Sequence, residues 1–221
     1  MPIKPDAVIF DLDGTLIDNN AWHIEAWKVF YDKIGREFSM DEYKTKINGR
    51  INRDIFNYIF GRQLPAEEIE KYTHEKEKLY REYYAPHIKP IPGLLHLLDE
   101  IKGASIPMAI ATSGLPVNIA FMFEHVTIKD YFDDVIDATL VTNSKPDPEI
   151  FLKAAAAVHA SPANCLAFED SIAGVHSAKA AGMKVIALTT THTKEDLHEA
   201  DRIIKDYTEI GLSTLLQLIQ A

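Results

Sequence analysis

Cysteine is nearly absent. Cys165 stands alone among 221 residues, which excludes an intrachain disulfide and any cysteine-built metal cluster. Long apolar runs are missing too: no stretch reaches the roughly 18 residues needed to cross a bilayer. The opening Met1-Pro2-Ile3-Lys4-Pro5 leads into an apolar run ending at Phe10, too short for a signal segment and closed by an acid pair. Positive charge is scarce, with 23 Lys plus Arg against 33 acids and a net charge of −10, which disfavours a general nucleic-acid binder. A small anionic ligand stays compatible, because a few local cations and a metal reverse the sign within one cleft. Repeats and low-complexity segments are absent, and an apolar share of 47% supplies a real core. The expected setting is soluble, reducing and cytoplasmic.

Five short runs read as buried strands: Ala7 to Phe10, Pro107 to Thr112, Asp134 to Ala138, Cys165 to Phe168 and Lys184 to Thr189. Helical patterns separate the later ones. Leu94, Leu97, Leu98 and Ile101 form one stripe, and Pro148 to Val158 and Ile172 to Ala181 form two more helices. Alternation of this kind predicts an α/β protein with a doubly wound parallel sheet. The stretch from about Asn19 to Tyr84 breaks it, because its pattern is helical throughout. Trp22, Ala26, Val29 and Phe30 share one face, and Ile69, Tyr72, Leu79 and Tyr83 form another stripe. Pro86, Pro90 and Pro92-Gly93 then punctuate a linker. The expected division is an α/β core of residues 1–18 and 88–221 carrying an inserted all-α cap of residues 19–87.

The chemistry gathers at predicted strand ends, where open parallel sheets bind ligands. Asp11-Leu12-Asp13-Gly14-Thr15 follows the first strand. Two carboxylates so close repel unless a divalent cation joins them, and hard oxygen ligands suit Mg²⁺. The amides around Leu12 to Gly14 can form an anion nest. Thr112 and Ser113 put hydroxyls at the second strand's tip, Lys145 precedes Pro146 at a helix entry, and Glu169-Asp170 closes the fourth strand. Singly, each has a bland alternative: an Asp-Gly turn, a helix cap, an exposed lysine. Their common placement favours a site.

On these residues the chain resembles the haloacid dehalogenase superfamily of phosphatases and phosphomutases, most closely its β-phosphoglucomutase and sugar-phosphatase branch, with the helical insertion similar to that family's small cap. The resemblance implies that Asp11 attacks phosphorus to form an aspartyl phosphate and that Asp13 is the acid/base partner. It implies phosphate contacts from Leu12, Gly14, Thr112, Ser113 and Lys145, and a Mg²⁺ site of Asp11, Asp13 (through its carbonyl), Glu169 and Asp170. Asp13 argues against carbon–halogen cleavage, since dehalogenases lack an acid there. A signalling receiver is disfavoured by Asp13 and by the insertion.

For substrate contacts the resemblance points to His23, to Lys76 interrupting an apolar stripe, to Gly49, Arg50 and Arg53, and to Asn118. His23 has packing near Trp27 as its plain alternative, and the arginines a solvated surface. A mutase needs a second phosphate site. Here Leu115 stands where β-phosphoglucomutase has lysine, Gly114 where it has serine, and Asn48 where the mutase's cap carries lysine, so only Asn118 matches. The expected activity is hydrolysis of a small phosphorylated metabolite, a sugar phosphate above all; phosphomutase and pyrophosphatase activity are the alternatives. The expected partners are that metabolite and Mg²⁺, with no nucleic acid or membrane, for a monomer or weak homo-oligomer. Cys165, Trp22 and Trp27 are expected to pack, and His192 and His198 to lie in a polar loop.

Overall fold

The computed structural model describes residues 4–220; the Met1-Pro2-Ile3 opening lies outside them. Six parallel strands form one sheet in the order β3-β2-β1-β4-β5-β6. They are β1 (Ala7–Phe10), β2 (Met108–Ala111), β3 (Asp134–Ile136), β4 (Cys165–Glu169), β5 (Lys184–Leu188) and β6 (Arg202–Ile204). β1 is central, pairing Phe10 with Ile110 on one side and with Phe168 on the other. Successive side chains of a strand point to opposite faces, so Val8 and Phe10 enter one apolar cluster and Ala7 and Ile9 the other. That double burial explains the unbroken apolar run. Helices α5 (Leu94–Gly103), α6 (Pro116–His125) and α9 (Leu212–Leu218) cover the first face. Helices α7 (Glu149–Ala157) and α8 (Ile172–Ala180) cover the second.

β6 was not among the expected strands. It has three residues, lies at the sheet edge, and only Ile204 is buried, so neither length nor alternation marks it.

Between β1 and α5 runs the helical segment: α1 (Asn20–Lys33), α2 (Met40–Glu42) with a wider turn over Tyr43–Ile47, α3 (Asn52–Phe60) and α4 (Ala66–Tyr84). Trp27, Phe30, Tyr31, Phe56 and their neighbours give it an apolar cluster of its own. Two expected stripes are rotated. Val29 and Tyr83 are exposed, whereas the inward face of α4 carries Lys76, Glu77, Tyr80 and Tyr84. Apolar periodicity misplaced that face because two of its buried members are charged. Among the described residues, no helix is long and apolar enough to cross a membrane.

Candidate active site

The strand order reverses between β1 and β4, which opens a crevice at their carboxyl ends. The register puts Asp11 one residue beyond Phe10 and Glu169 one residue beyond its partner Phe168. Phe10 and Phe168 stack at 4.8 Å, holding the two strand ends level. Asp11, Glu169 and Asp170, all buried, each offer an oxygen within 4.8 Å of the others.

Lys145 reaches this group from the turn before α7. Its Nζ donates to Asp11 Oδ1 at 2.6 Å, to Glu169 Oε1 at 2.5 Å and to the Ala111 carbonyl at 3.3 Å. One lysine does not balance three acids. Burial, with Glu169 beside it, pushes Asp170 up to about 8, and burial holds Asp11 well above the usual carboxylate range even against Lys145. A cluster of hard oxygens left short of positive charge fits a divalent cation. The oxygens are not equally open. Glu169 Oε2 already accepts from the amides of Asp170 and Ser171 and from Ser171 Oγ, whereas no hydrogen bond from another described residue reaches Asp11 Oδ2.

Asp13 is half-buried across the crevice. Its Oδ1 accepts from Asn19 Nδ2 at 2.5 Å and lies 3.7 Å from His23 Nε2. Burial pushes the Asp13 carboxyl up, but the His23 imidazole and the Asn19 amide outweigh it and hold it below the usual range. Asn19 precedes α1 without capping it by its side chain. Instead its Oδ1 accepts from the Gly14 amide at 3.0 Å, and its Nδ2 also donates to Tyr80 at 2.7 Å. His23 stacks on Tyr80, with ring centroids 3.7 Å apart, and its Nδ1 faces Lys76 Nζ at 2.7 Å.

The anion nest is narrower than the sequence suggests. The Gly14 N–H is taken by Ile17 O and by Asn19, leaving the Leu12 and Asp13 amides as the ones without such partners among the described residues. Gly14 serves another end: with φ +78° and Asp170 and Asn20 packed against it, no side chain fits there. Thr112 is buried, its Oγ1 accepting from the Gly114 amide, and Ser113 Oγ donates to Gly49 O at 2.7 Å, tying core to insertion.

Of the expected substrate residues, His23, Gly49, Arg50, Lys76 and Asn118 line one cavity of about 70 Å³ together with Asp11, Asp13 and Asp170. Arg53 does not. Its guanidinium bonds Asp54 and the Thr142 carbonyl outside that cavity, because it lies on the outward side of α3. Several contributors went unread in the sequence, among them Asn19, Asn20, Glu77, Asn52 and the segment Thr190-Thr191-His192. Thr190 donates to Gly14 O, Thr191 to Asp170, and buried His192 contacts Asn48 Oδ1 at 3.2 Å. The segment's polar composition concealed this, since only its position after β5 marks it.

Fold and site together define a doubly wound α/β protein with an acid cluster and a lysine at its switch point, roofed by inserted helices. The chain belongs to the haloacid dehalogenase-like hydrolase family, whose model matches residues 8–188, and to its β-phosphoglucomutase-like branch. It is 30% identical to β-phosphoglucomutase of Bacillus subtilis over 95% of this chain and 93% of that one. It is also 30% identical to validoxylamine A 7'-phosphate phosphatase of Streptomyces hygroscopicus, over 91% and 94%. Among solved structures, a family IA, variant 3 hydrolase of the same superfamily from Entamoeba histolytica superposes with a TM-score of 0.87 at 32% identity, covering 99% of this chain and all of that one.

Proposed function

We propose that this protein is a Mg²⁺-dependent phosphatase of small phosphorylated metabolites, sugar phosphates above all, acting through an aspartyl phosphate on Asp11. One observation carries the reading: Asp11, fixed through one oxygen by Lys145 and open at the other, faces the same cavity as an independently held second carboxylate, Asp13.

Asp11 Oδ2 is the attacking oxygen, since Oδ1 is engaged by Lys145. Lys145 and the Leu12 and Asp13 amides balance the phosphoryl oxygens, as such a transition state demands positioning and charge neutralisation. Asp13 handles the proton. Held ionised by His23 and Asn19, it starts as a base; a phosphate dianion beside it raises its carboxyl towards the acid form, so bound substrate favours protonation of the leaving oxygen. After departure the same carboxylate takes a proton from the attacking water. Asp11 and Asp170, with the Asp13 carbonyl, would hold Mg²⁺, and Glu169 would contribute mainly by anchoring Lys145. When bound, the ion supplies positive charge that lets a carboxylate approach a phosphate dianion. Residues 19–87 act as the cap that excludes water, with Arg50 and Lys76 on its inner surface.

The phosphatase named among the relatives supports hydrolysis, while the mutase keeps isomerisation as the rival. Hydrolysis is favoured because Asn118, the one residue matching a mutase's second phosphate site, already bonds Glu77 and Arg81. The test is a phosphate-release screen over sugar phosphates with Mg²⁺, alongside conversion of β-glucose 1-phosphate to glucose 6-phosphate with a trace of bisphosphate. Phosphate release should be abolished by Asp11→Asn, with circular dichroism unchanged, and Asp13→Ala should let phosphoenzyme accumulate. Isomerisation outpacing release would reverse the assignment.

A further inference from the structure

Glu77 is only 4% exposed, yet it lines the cavity. A carboxylate removed from water must be matched by donors. Its Oε1 accepts from Asn52 Nδ2 at 2.9 Å and from Lys76 Nζ at 3.1 Å, and its Oε2 accepts from Asn118 Nδ2 at 2.8 Å. Those donors come from α3, α4 and α6, so Glu77 sits at the seam between the inserted helices and the core.

For a ligand the effect is subtractive. A lysine and two amides are groups that could grip a second phosphate, and all three already give hydrogens to Glu77. Asn118 is engaged at both ends, because its Oδ1 accepts from Arg81 Nη1 at 2.7 Å. Burial pushes Glu77 up, but Lys76, His23 and the two amides hold it down to about 2, so Glu77 is ionised at neutral pH and takes up the charge of Lys76. A phosphate placed there would compete with Glu77 for those donors and face its like charge.

What remains open at this wall suits a hydroxyl. Lys76 has three N–H groups and directs two, towards His23 Nδ1 and Glu77. Glu77 has about four acceptor positions and three are filled. A free ammonium N–H beside a free carboxylate acceptor position matches a group that both accepts and donates. Trp27, with its ring 4.8 Å from Lys76 Nζ, adds a flat apolar face to the same wall.

We infer that Glu77 is a specificity-determining residue: it reads hydroxyls at the far wall and excludes a second phosphate, so the substrates are monophosphates of polyhydroxylated molecules and not bisphosphates. This rests on the phosphatase reading above. Its strongest opponent is Arg50, which lines the same cavity with its Nε buried and unpartnered and would be the residue to hold a second phosphate if one bound.

The experiment measures binding without turnover. Titration calorimetry on the Asp11→Asn protein with Mg²⁺ compares fructose 1-phosphate with fructose 1,6-bisphosphate, and glucose 6-phosphate with glucose 1,6-bisphosphate. Each bisphosphate should bind at least about tenfold more weakly than its monophosphate, and adding Glu77→Gln should narrow the ratio to within about threefold by tightening the bisphosphate. Equal or tighter bisphosphate binding before that substitution overturns the inference. So does a ratio unmoved in a folded Glu77→Gln protein. Should that variant unfold, the first comparison decides alone. Monophosphates that bind as inferred but release no phosphate from the unsubstituted enzyme would count against hydrolysis and leave the specificity of the wall intact.

Discussion

Lys145 is 1% exposed and lies between two buried carboxylates, Asp11 and Glu169, which together raise its own pKa despite burial. Its replacement by methionine keeps the stem but leaves both acids without their counter-charge. Breaking a buried pair by removing one partner costs about 3–5 kcal/mol, so Lys145→Met should lower the urea midpoint steeply at neutral pH. Much of that loss should return at pH 4, where the acids take up protons. An unchanged midpoint at neutral pH would show that the acids are better solvated than their burial implies. This lysine also illustrates what one residue's sequence context conceals. Lys145-Pro146 is legible as a motif, but nothing local distinguishes a fully buried cation from a surface one; only the strand order brings it to Asp11.

Among elements, β1 is readable to the residue because both its faces are buried, so it keeps no polar alternation to blur its ends. α4 is legible as a helix and illegible as to facing, since its inward side mixes Lys76 and Glu77 with Tyr80 and Tyr84. The acid–lysine cluster could be anticipated from the ends of strands. The Glu77 network could not, because its members are scattered over α3, α4 and α6. Two predictions belong at this scale. In a helix interior, alanine for glycine ordinarily stabilises by about 1 kcal/mol. Gly174 of α8 reverses the sign, because a Cβ there overlaps the Glu169 carboxylate; Gly174→Ala should lower the melting temperature, and a rise would contradict the packing. The second concerns the link made by Glu77. Its folded pKa of about 2 lies below the ordinary 4.5, so its stabilisation is fully present above about pH 4.5 and is lost as pH falls towards 2. The shift corresponds to roughly 3 kcal/mol. Stability of Glu77→Gln should therefore vary less between pH 5 and 3 than that of the unsubstituted protein, as followed by urea unfolding; parallel curves would refute the linkage.

Over the whole molecule, the inserted helices meet the core at contacts of unequal weight. Ser113 to Gly49 and Asn118 to Glu77 lie at the cavity, whereas Arg53 to Thr142 lies outside it on an exposed surface. Exposed contacts of that kind contribute about 0–1 kcal/mol. Arg53→Ala should thus change kcat/KM by less than about fivefold and by the same factor for every substrate, which a comparison across several sugar phosphates would check. A change confined to one substrate would place Arg53 in recognition after all.

The stretch Thr190-Thr191-His192 has the composition of a place where a chain tolerates grafts. Its three consecutive side chains nonetheless bond to the Gly14 carbonyl, to Asp170 and to Asn48. Lengthening it by one residue would put each of them out of register with its partner at once. An epitope or fluorophore inserted there would be felt at once by the loop after β1, the end of β4 and the inserted helices, which meet around one cavity, although no alignment of apolar residues would have warned against it.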